Sequence, residues 1–308
     1  MRRTLLAAIA ALAVSISPAY GMYGTSRTGT TGAAFLKIAP GARPAAMGEA
    51  YAPIAAGAYS VYWNPAGLNF VEEGEVSFMH SVWFQGIHFS HLVYARPMPF
   101  LRGSLGAGVT YVNLGSIERV TSAGASEGDF VPYDLAVSLA YARDLFGVKA
   151  GLGFKYIYQE IHEHSASALA ADIGLRHRMF AERLDLGLAV SNLGSKLGFE
   201  KREAELPLIF RAGAGYSALD NLTAAVQLNI PNDNDANIHA GAEYVVGEIY
   251  SVPLALRAGY RTNSALEGLS GFSFGFGLSR DNFVLDYALS PYGKLGVSHR
   301  VSISLKGI

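Results

Sequence analysis

From Glu75 to the C-terminus, apolar residues alternate with polar or very small ones in segments of about ten residues. Val148, Ala150, Leu152, Phe154, Tyr156 and Tyr158 share one parity, and Lys149, Gly151, Gly153, Lys155 and Gln159 the other. Phe283, Leu285, Tyr287 and Leu289 alternate in the same way with Asn282, Asp286 and Ser290. So do Val297, Val301, Ile303 and Leu305 with Ser298, Arg300, Ser302 and Ser304. Successive side chains of a strand point to opposite faces, so each segment is a strand with one apolar face and one wet face. Fourteen such strands are predicted, near 75–81, 86–96, 103–113, 132–143, 147–159, 167–177, 184–192, 207–217, 221–230, 237–246, 252–261, 270–279, 281–289 and 296–305. Sustained to the end of the chain, the pattern is that of an all-β protein, a transmembrane antiparallel barrel with both termini periplasmic.

The connections fall into two sets. Tight turns are expected at 144–146, 218–220 and 279–281, and longer polar loops at 114–131, 160–166, 193–206, 231–236, 262–269 and 290–295. Outer-membrane barrels keep short turns in the periplasm and long loops outside. Parity also assigns the walls. Asp134, Lys149, Lys155, Asp172, Arg176, Asp185, Arg211, Glu243, Arg257, Asp286 and Arg300 should line the lumen, because a cation facing hydrocarbon costs about 2–4 kcal/mol at the midplane. Phe154, Tyr156, Leu186, Leu228, Leu285 and Ile303 should face lipid. Tyr133, Tyr141, Tyr158, Tyr216, Tyr244 and Tyr260, near strand ends, suit the interfacial girdles.

Residues 22–72 lack the two-residue rhythm. They are rich in Ala, Gly and Pro, with helix-compatible stretches near Thr31–Ile38 and Ala45–Ala56. Small residues such as Gly41 and Gly48 let backbone pass close to a wall, which is how a compact plug would be built. Before it, Met1, Arg2 and Arg3 lead into an apolar run from Leu5 to Ile16, then Ala19 and Gly21. This is the layout of a cleaved secretory signal peptide. The chain thus divides into a signal peptide (1–21), a plug segment (22–72) and the barrel (73–308).

Composition narrows the chemistry. The sequence has no cysteine, which excludes disulfides, a lipid-modified cysteine and thiolate metal sites. Its net charge is −1, with no basic patch for nucleic acid. After residue 21 no apolar run is long enough for a membrane-spanning helix, so insertion must be by strands.

Two stretches are more specific than pattern. Residues 36–68 contain Leu36-Lys37-Ile38, then Gly41-Ala42-Arg43-Pro44-Ala45-Ala46-Met47-Gly48-Glu49-Ala50, and close with Tyr62-Trp63-Asn64-Pro65-Ala66-Gly67-Leu68. Near the end come Leu285-Asp286-Tyr287-Ala288, Leu295-Gly296 and His299-Arg300-Val301-Ser302. Together these resemble the PorV/PorQ family of outer-membrane proteins, a branch of the FadL-like barrels. The positions that carry the resemblance in the plug segment are Gly41, Arg43, Met47, Gly48, Trp63, Asn64, Pro65 and Gly67. Glu49 departs from it, standing where the family usually has a second glycine. So do the last residues, Lys306-Gly307-Ile308, where an aromatic end is usual.

The resemblance implies an N-terminal hatch inside the barrel and two readings of function. One is an envelope scaffold or shuttle for exported proteins, serving type IX secretion and surface attachment. The other is a channel for hydrophobic small molecules gated by the hatch. A purely structural barrel is a third reading. The implied partners are outer-membrane lipid, exported proteins or secretion components, or a hydrophobic ligand. Within the hatch, Arg43 is the cation expected to meet a lumen carboxylate, and Asn64 the side chain expected to cap backbone.

Catalysis is not expected, and no catalytic, cofactor or metal residue is assigned. Glu160, His162, Glu163 and His164 are the only metal-like cluster, and they fall in an expected outer loop. His239, Ser273 and Asp286 are scattered over separate strands. No Gly-x-Ser-x-Gly elbow to pose a nucleophile and no Walker-type phosphate loop is recognised.

Overall fold

A computed structural model describes residues 25–200, 202–249, 252–262 and 268–308. The proposed signal peptide lies outside the described residues. The fourteen expected strands are all present: β1 Glu75–Val82, β2 His88–Met98, β3 Gly103–Asn113, β4 Tyr133–Leu145, β5 Val148–Ile161, β6 His164–Met179 and β7 Leu184–Gly194. They continue as β8 Ile209–Leu219, β9 Leu222–Pro231, β10 Asn237–Ile249, β11 Val252–Arg261, β12 Phe272–Arg280, β13 Phe283–Pro291 and β14 Val297–Lys306. Each strand pairs antiparallel with its neighbours in sequence, and β1 closes on β14 from Glu75↔Lys306 to Val82↔His299. Closure leaves no unpaired sheet edge, the condition for crossing hydrocarbon with strands.

The period-two pattern has sorted the two faces. On the outer wall Leu139, Phe154 and Leu169 are 62, 65 and 65 % exposed. Between them on the same strands Lys155 and Asp172 are 5 and 1 % exposed, turned inward.

Three expectations about connections are corrected. Residues 160–166 are not a loop. β5 and β6 run on to the pair Ile161↔His164 and turn over two residues, with His162 at φ 57°. The residues there are polar on both faces, so the rhythm stops while the ladder continues. The loops at 114–131 and 193–206 hold hairpins of their own, Ile117–Val120 with Ser126–Phe130 and Leu197–Phe199 with Arg202–Ala204.

The expected helix over Ala45–Ala56 is also shorter and earlier. It covers Ala42–Ala46 and ends where Gly48 and Glu49 adopt left-handed φ of 63° and 67°. Two such residues in a row, with Pro53 shortly after, cannot continue a right-handed helix. Near Thr31–Ile38 only a 3₁₀ turn forms, Ala34–Lys37.

The helix Ala42–Ala46 packs on β11–β14, and the 3₁₀ turn Pro65–Phe70 on β2–β6. Ala42, Met47, Ala50, Asn64, Ala66 and Leu68 are all completely buried.

Candidate functional site

The segment before β1 meets the inward wall at seats of two chemical kinds. One is neutral. Asn64 sits in extended backbone as the N-cap of the turn Pro65–Phe70. Its Oδ1 accepts from the Ala66 N–H at 3.1 Å, which satisfies a donor the turn cannot reach. Its Nδ2 donates to the carbonyls of Ala52 (3.1 Å), Leu175 (3.2 Å) and Leu188 (3.3 Å), tying the turn to β6 and β7. The wall receives this corner because it is bare there. Gly151 on β5 and Gly174 on β6 face each other across the ladder. A Cβ on Gly174 would run into Asn64 Oδ1 and lie 2.8 Å from Pro65 Cδ, and one on Gly151 would strike the Pro65–Ala66 peptide. Gly67 closes the corner, its N–H donating to Asn64 O at 2.9 Å.

A second bare pair, Gly241 on β10 and Gly259 on β11, receives the Met47–Gly48 peptide. Here the wall also satisfies the backbone. Gly48 N–H donates to Ser273 Oγ at 3.0 Å, and its carbonyl accepts from His239 Nδ1 at 2.6 Å. Gly41, at φ 95°, starts the helix that leads into this peptide.

The other seat is ionic. Arg43 grips Glu243 with two bonds, Nε to Oε2 at 2.8 Å and Nη2 to Oε1 at 2.7 Å. Glu243 also takes Arg257 at 2.5 Å, and Arg257 continues to Asp286 at 2.7 Å. The result is a relay of alternating charge from the segment into β10, β11 and β13. Fork-to-fork geometry gives such pairs their strength.

The remaining predicted residues are distributed around this frame. Lys155 pairs with Asp172 at 2.7 Å and donates to Asn192 Oδ1 at 2.8 Å, while Asp172 accepts the Asn192 N–H at 2.8 Å. Arg211 donates to Ser191 Oγ at 2.7 Å and lies 5.7 Å from the ring centres of Tyr62 and Trp63. Among the described residues Arg300 reaches the hydroxyls of Ser290 and Tyr292, at 3.4 and 3.5 Å. Lys149 stands apart near a turn, paired with Asp144, and both are partly exposed. Trp63 is buried with its indole N–H on the Pro40 carbonyl at 3.0 Å, edge-on to Tyr51 at 5.8 Å.

That ring pair separates two cavities. Tyr51 lines one of about 270 Å³ with Glu73, Glu75 and Lys306, at the end of the barrel where β1 begins and β14 ends. Trp63 lines one of about 260 Å³ with Arg211, Asp233, Asn237 and Tyr292, at the opposite end. The two share no lining residue.

A model of the family described as type IX secretion system protein PorV matches residues 23–232. The chain belongs to the PorV family. It is an outer-membrane barrel linked to type IX secretion. Comparison with curated proteins finds no match. Among solved structures, the toluene transporter TodX of Pseudomonas putida aligns with a TM-score of 0.59 at 10 % identity, covering 87 % of this chain and 98 % of that one. The toluene transporter TbuX of Ralstonia pickettii gives 0.56 at 12 %, covering 87 and 97 %. A FadL homologue of Pseudomonas aeruginosa gives 0.54 at 10 %, covering 84 and 96 %. These likenesses concern the fold.

The residue that departs from the family's usual glycine, Glu49, has its own explanation. Its φ of 67° is a conformation glycine adopts freely and an L-residue only with strain. Its carboxylate pairs with Arg261 at 3.1 Å. Burial pushes this carboxyl up, but Arg261, with His239 and further cations, outweighs it and holds the group below its ordinary value. Sequence reading missed this pair, because neither the backbone angle nor the partner is local.

It also passed over Gln227 and the role of His239 and Ser273. Gln227 is fully buried; its Oε1 accepts from Ala52 N–H at 2.8 Å and its Nε2 donates to the Glu49 carbonyl at 3.2 Å. All three sit at inward parity, which was the available signal. The Gly-x-Ser-x-Gly spacing does occur, at 124–128 and 271–275, and the sequence reading overlooked it. The first lies largely on the exposed hairpin after β3. The second places Ser273 inside β12, bonded to the Gly48 and Ala46 backbone, so neither is a strand-to-helix elbow. His162 and His164 take separate partners, Arg119 at 3.1 Å and Glu200 at 3.3 Å.

Proposed function

We propose that this barrel is a non-enzymatic scaffold or shuttle that receives exported proteins on their way through type IX secretion to the cell surface, with residues 22–72 acting as a fixed hatch. The observation that carries this reading is the Tyr51–Trp63 ring pair between two cavities with no common lining residue. A lumen crossed by buried rings, an Arg43–Glu243 fork and a capped Asn64 turn is braced rather than gated. Such a barrel offers its outer loops and rim as working surface. The hairpin of Ile117–Val120 with Ser126–Phe130 stands exposed beyond the wall, whereas that of Leu197–Phe199 with Arg202–Ala204 folds back and buries Leu197. Deleting the gene in the source organism should leave type IX cargo in the periplasm. Normal surface display of that cargo would overturn the reading.

The second reading, a channel for hydrophobic molecules, draws on the fold shared with the two toluene transporters. It predicts that removing residues 41–68 raises dye uptake or conductance in a reconstituted bilayer. The scaffold reading predicts instead a less stable barrel or weaker partner binding.

A further inference from the structure

Among the described residues that line the cavity beside Trp63, the outer one on the expected periplasmic placing of the termini, cations outnumber carboxylates by one. Its charged lining comprises Lys37, Arg211 and Arg261 against Glu49 and Asp233. Lys37 is taken by Asp233 at 2.6 Å and Arg261 by Glu49 at 3.1 Å. Arg211 is left over. It is 3 % exposed, its one described hydrogen bond is to a neutral hydroxyl, and its Nε has no partner among the described residues. A buried guanidinium without a carboxylate is costly unless something supplies the anion. The same cavity holds a second uncommitted group. Asp233 spends one oxygen on both Thr31 and Lys37, at 2.7 and 2.6 Å, and its Oδ1 has no partner. An acceptor of this kind is completed by a hydroxyl.

We propose that the outer cavity is a binding site for a small hydroxylated carboxylate, a hydroxy acid or sugar acid, whose anion meets Arg211 and whose hydroxyl meets Asp233. The cavity of about 260 Å³ has room for a ligand of this size. Its tyrosine and amide lining suits a polar molecule rather than a hydrocarbon. Trp63 lines the cavity, so occupancy has a built-in reporter. The site is independent of which exported protein the barrel serves.

The test uses the full mature chain in detergent or nanodiscs, with glucuronate as probe and tryptophan fluorescence and calorimetry as readouts. Glucuronate should bind saturably, while its uncharged methyl ester and glucose should not. Acetate should bind more weakly than glucuronate. Arg211→Gln should weaken glucuronate roughly tenfold or more, as loss of a charge-assisted hydrogen bond does. Arg211→Lys should retain part of the affinity. Should Arg211→Gln fail to fold, judged by heat-modifiable gel mobility, the comparison of acid with ester on the unaltered chain decides alone. No saturable binding, or equal binding of acid and ester, would overturn the proposal. Acetate binding as tightly as glucuronate would remove the Asp233 contact and with it the assigned ligand class.

Discussion

The two main seats of the N-terminal segment solve one problem by different physics. At β5 and β6 the wall is stripped to Gly151 and Gly174, and a neutral amide, Asn64, bonds to the exposed carbonyls. At β10 to β13 the wall is also bare in places, at Gly241 and Gly259, but it adds charge, through Glu243, Arg257 and Asp286, to hold Arg43. The first seat depends on fit and is indifferent to salt. The second depends on balance, because each buried charge relies on the next. Removing an atom should therefore be felt locally at the first seat and along a whole relay at the second.

The largest effect is expected from Glu243→Leu. It leaves Arg43 and Arg257 facing each other with one carboxylate between them, and breaking a buried pair costs about 3–5 kcal/mol. Urea unfolding in lipid vesicles should show the loss, and adding Arg43→Met in the same chain should recover part of it. No recovery would mean that the relay does not include Arg43.

Next comes the neutral seat. Asn64→Ala should cost about 1–3 kcal/mol, the range for leaving buried polar groups unpaired. Gly174→Ala, which forces a methyl against Asn64 Oδ1, should fall in the overpacking range of about 1–3 kcal/mol. The two changes strike one contact, so their double variant should cost less than the sum. Strict additivity would break the claim that they form a single seat.

A smaller, pH-dependent effect belongs to Glu49. Its folded carboxyl lies below the ordinary 4.5, so its contribution is present above that value and fades as acid protonates the folded form. Stability should therefore drop below about pH 4.5, and the Glu49→Gln chain should lack that share of the drop. The smallest effect is reserved for Lys149→Ala. Its pair with Asp144 is partly exposed near a turn, where such contacts are worth about 0–1 kcal/mol. A loss rivalling that of Glu243→Leu would erase the distinction between lumen relay and rim.

The barrel was legible because its signal is local. A strand announces itself within ten or so residues by alternation alone, and all fourteen do so. The signal failed where alternation ends before pairing does, as at Glu160–His164, where both faces meet water and β5 still pairs with β6. The seats were legible in part. Parity turned Glu243 and Asp286 inward, but the choice of Arg43 for Glu243 spans 200 residues and is set by where the helix Ala42–Ala46 points. The family motif marked Asn64 and Pro65 without naming their receivers, since Gly151 and Gly174 look like any other small lumen residues until the two chains of contact meet.

Position 49 sets a dial on the outer mouth. A glycine there would relax the left-handed turn, and the same change would strip Arg261 of its counter-ion. The cavity would then hold two free guanidinium groups instead of one. Backbone ease and the size of the positive charge at the entrance are thus set together by a single residue. In this chain glutamate accepts a strained backbone dihedral in exchange for an entrance with one uncompensated cation, not two.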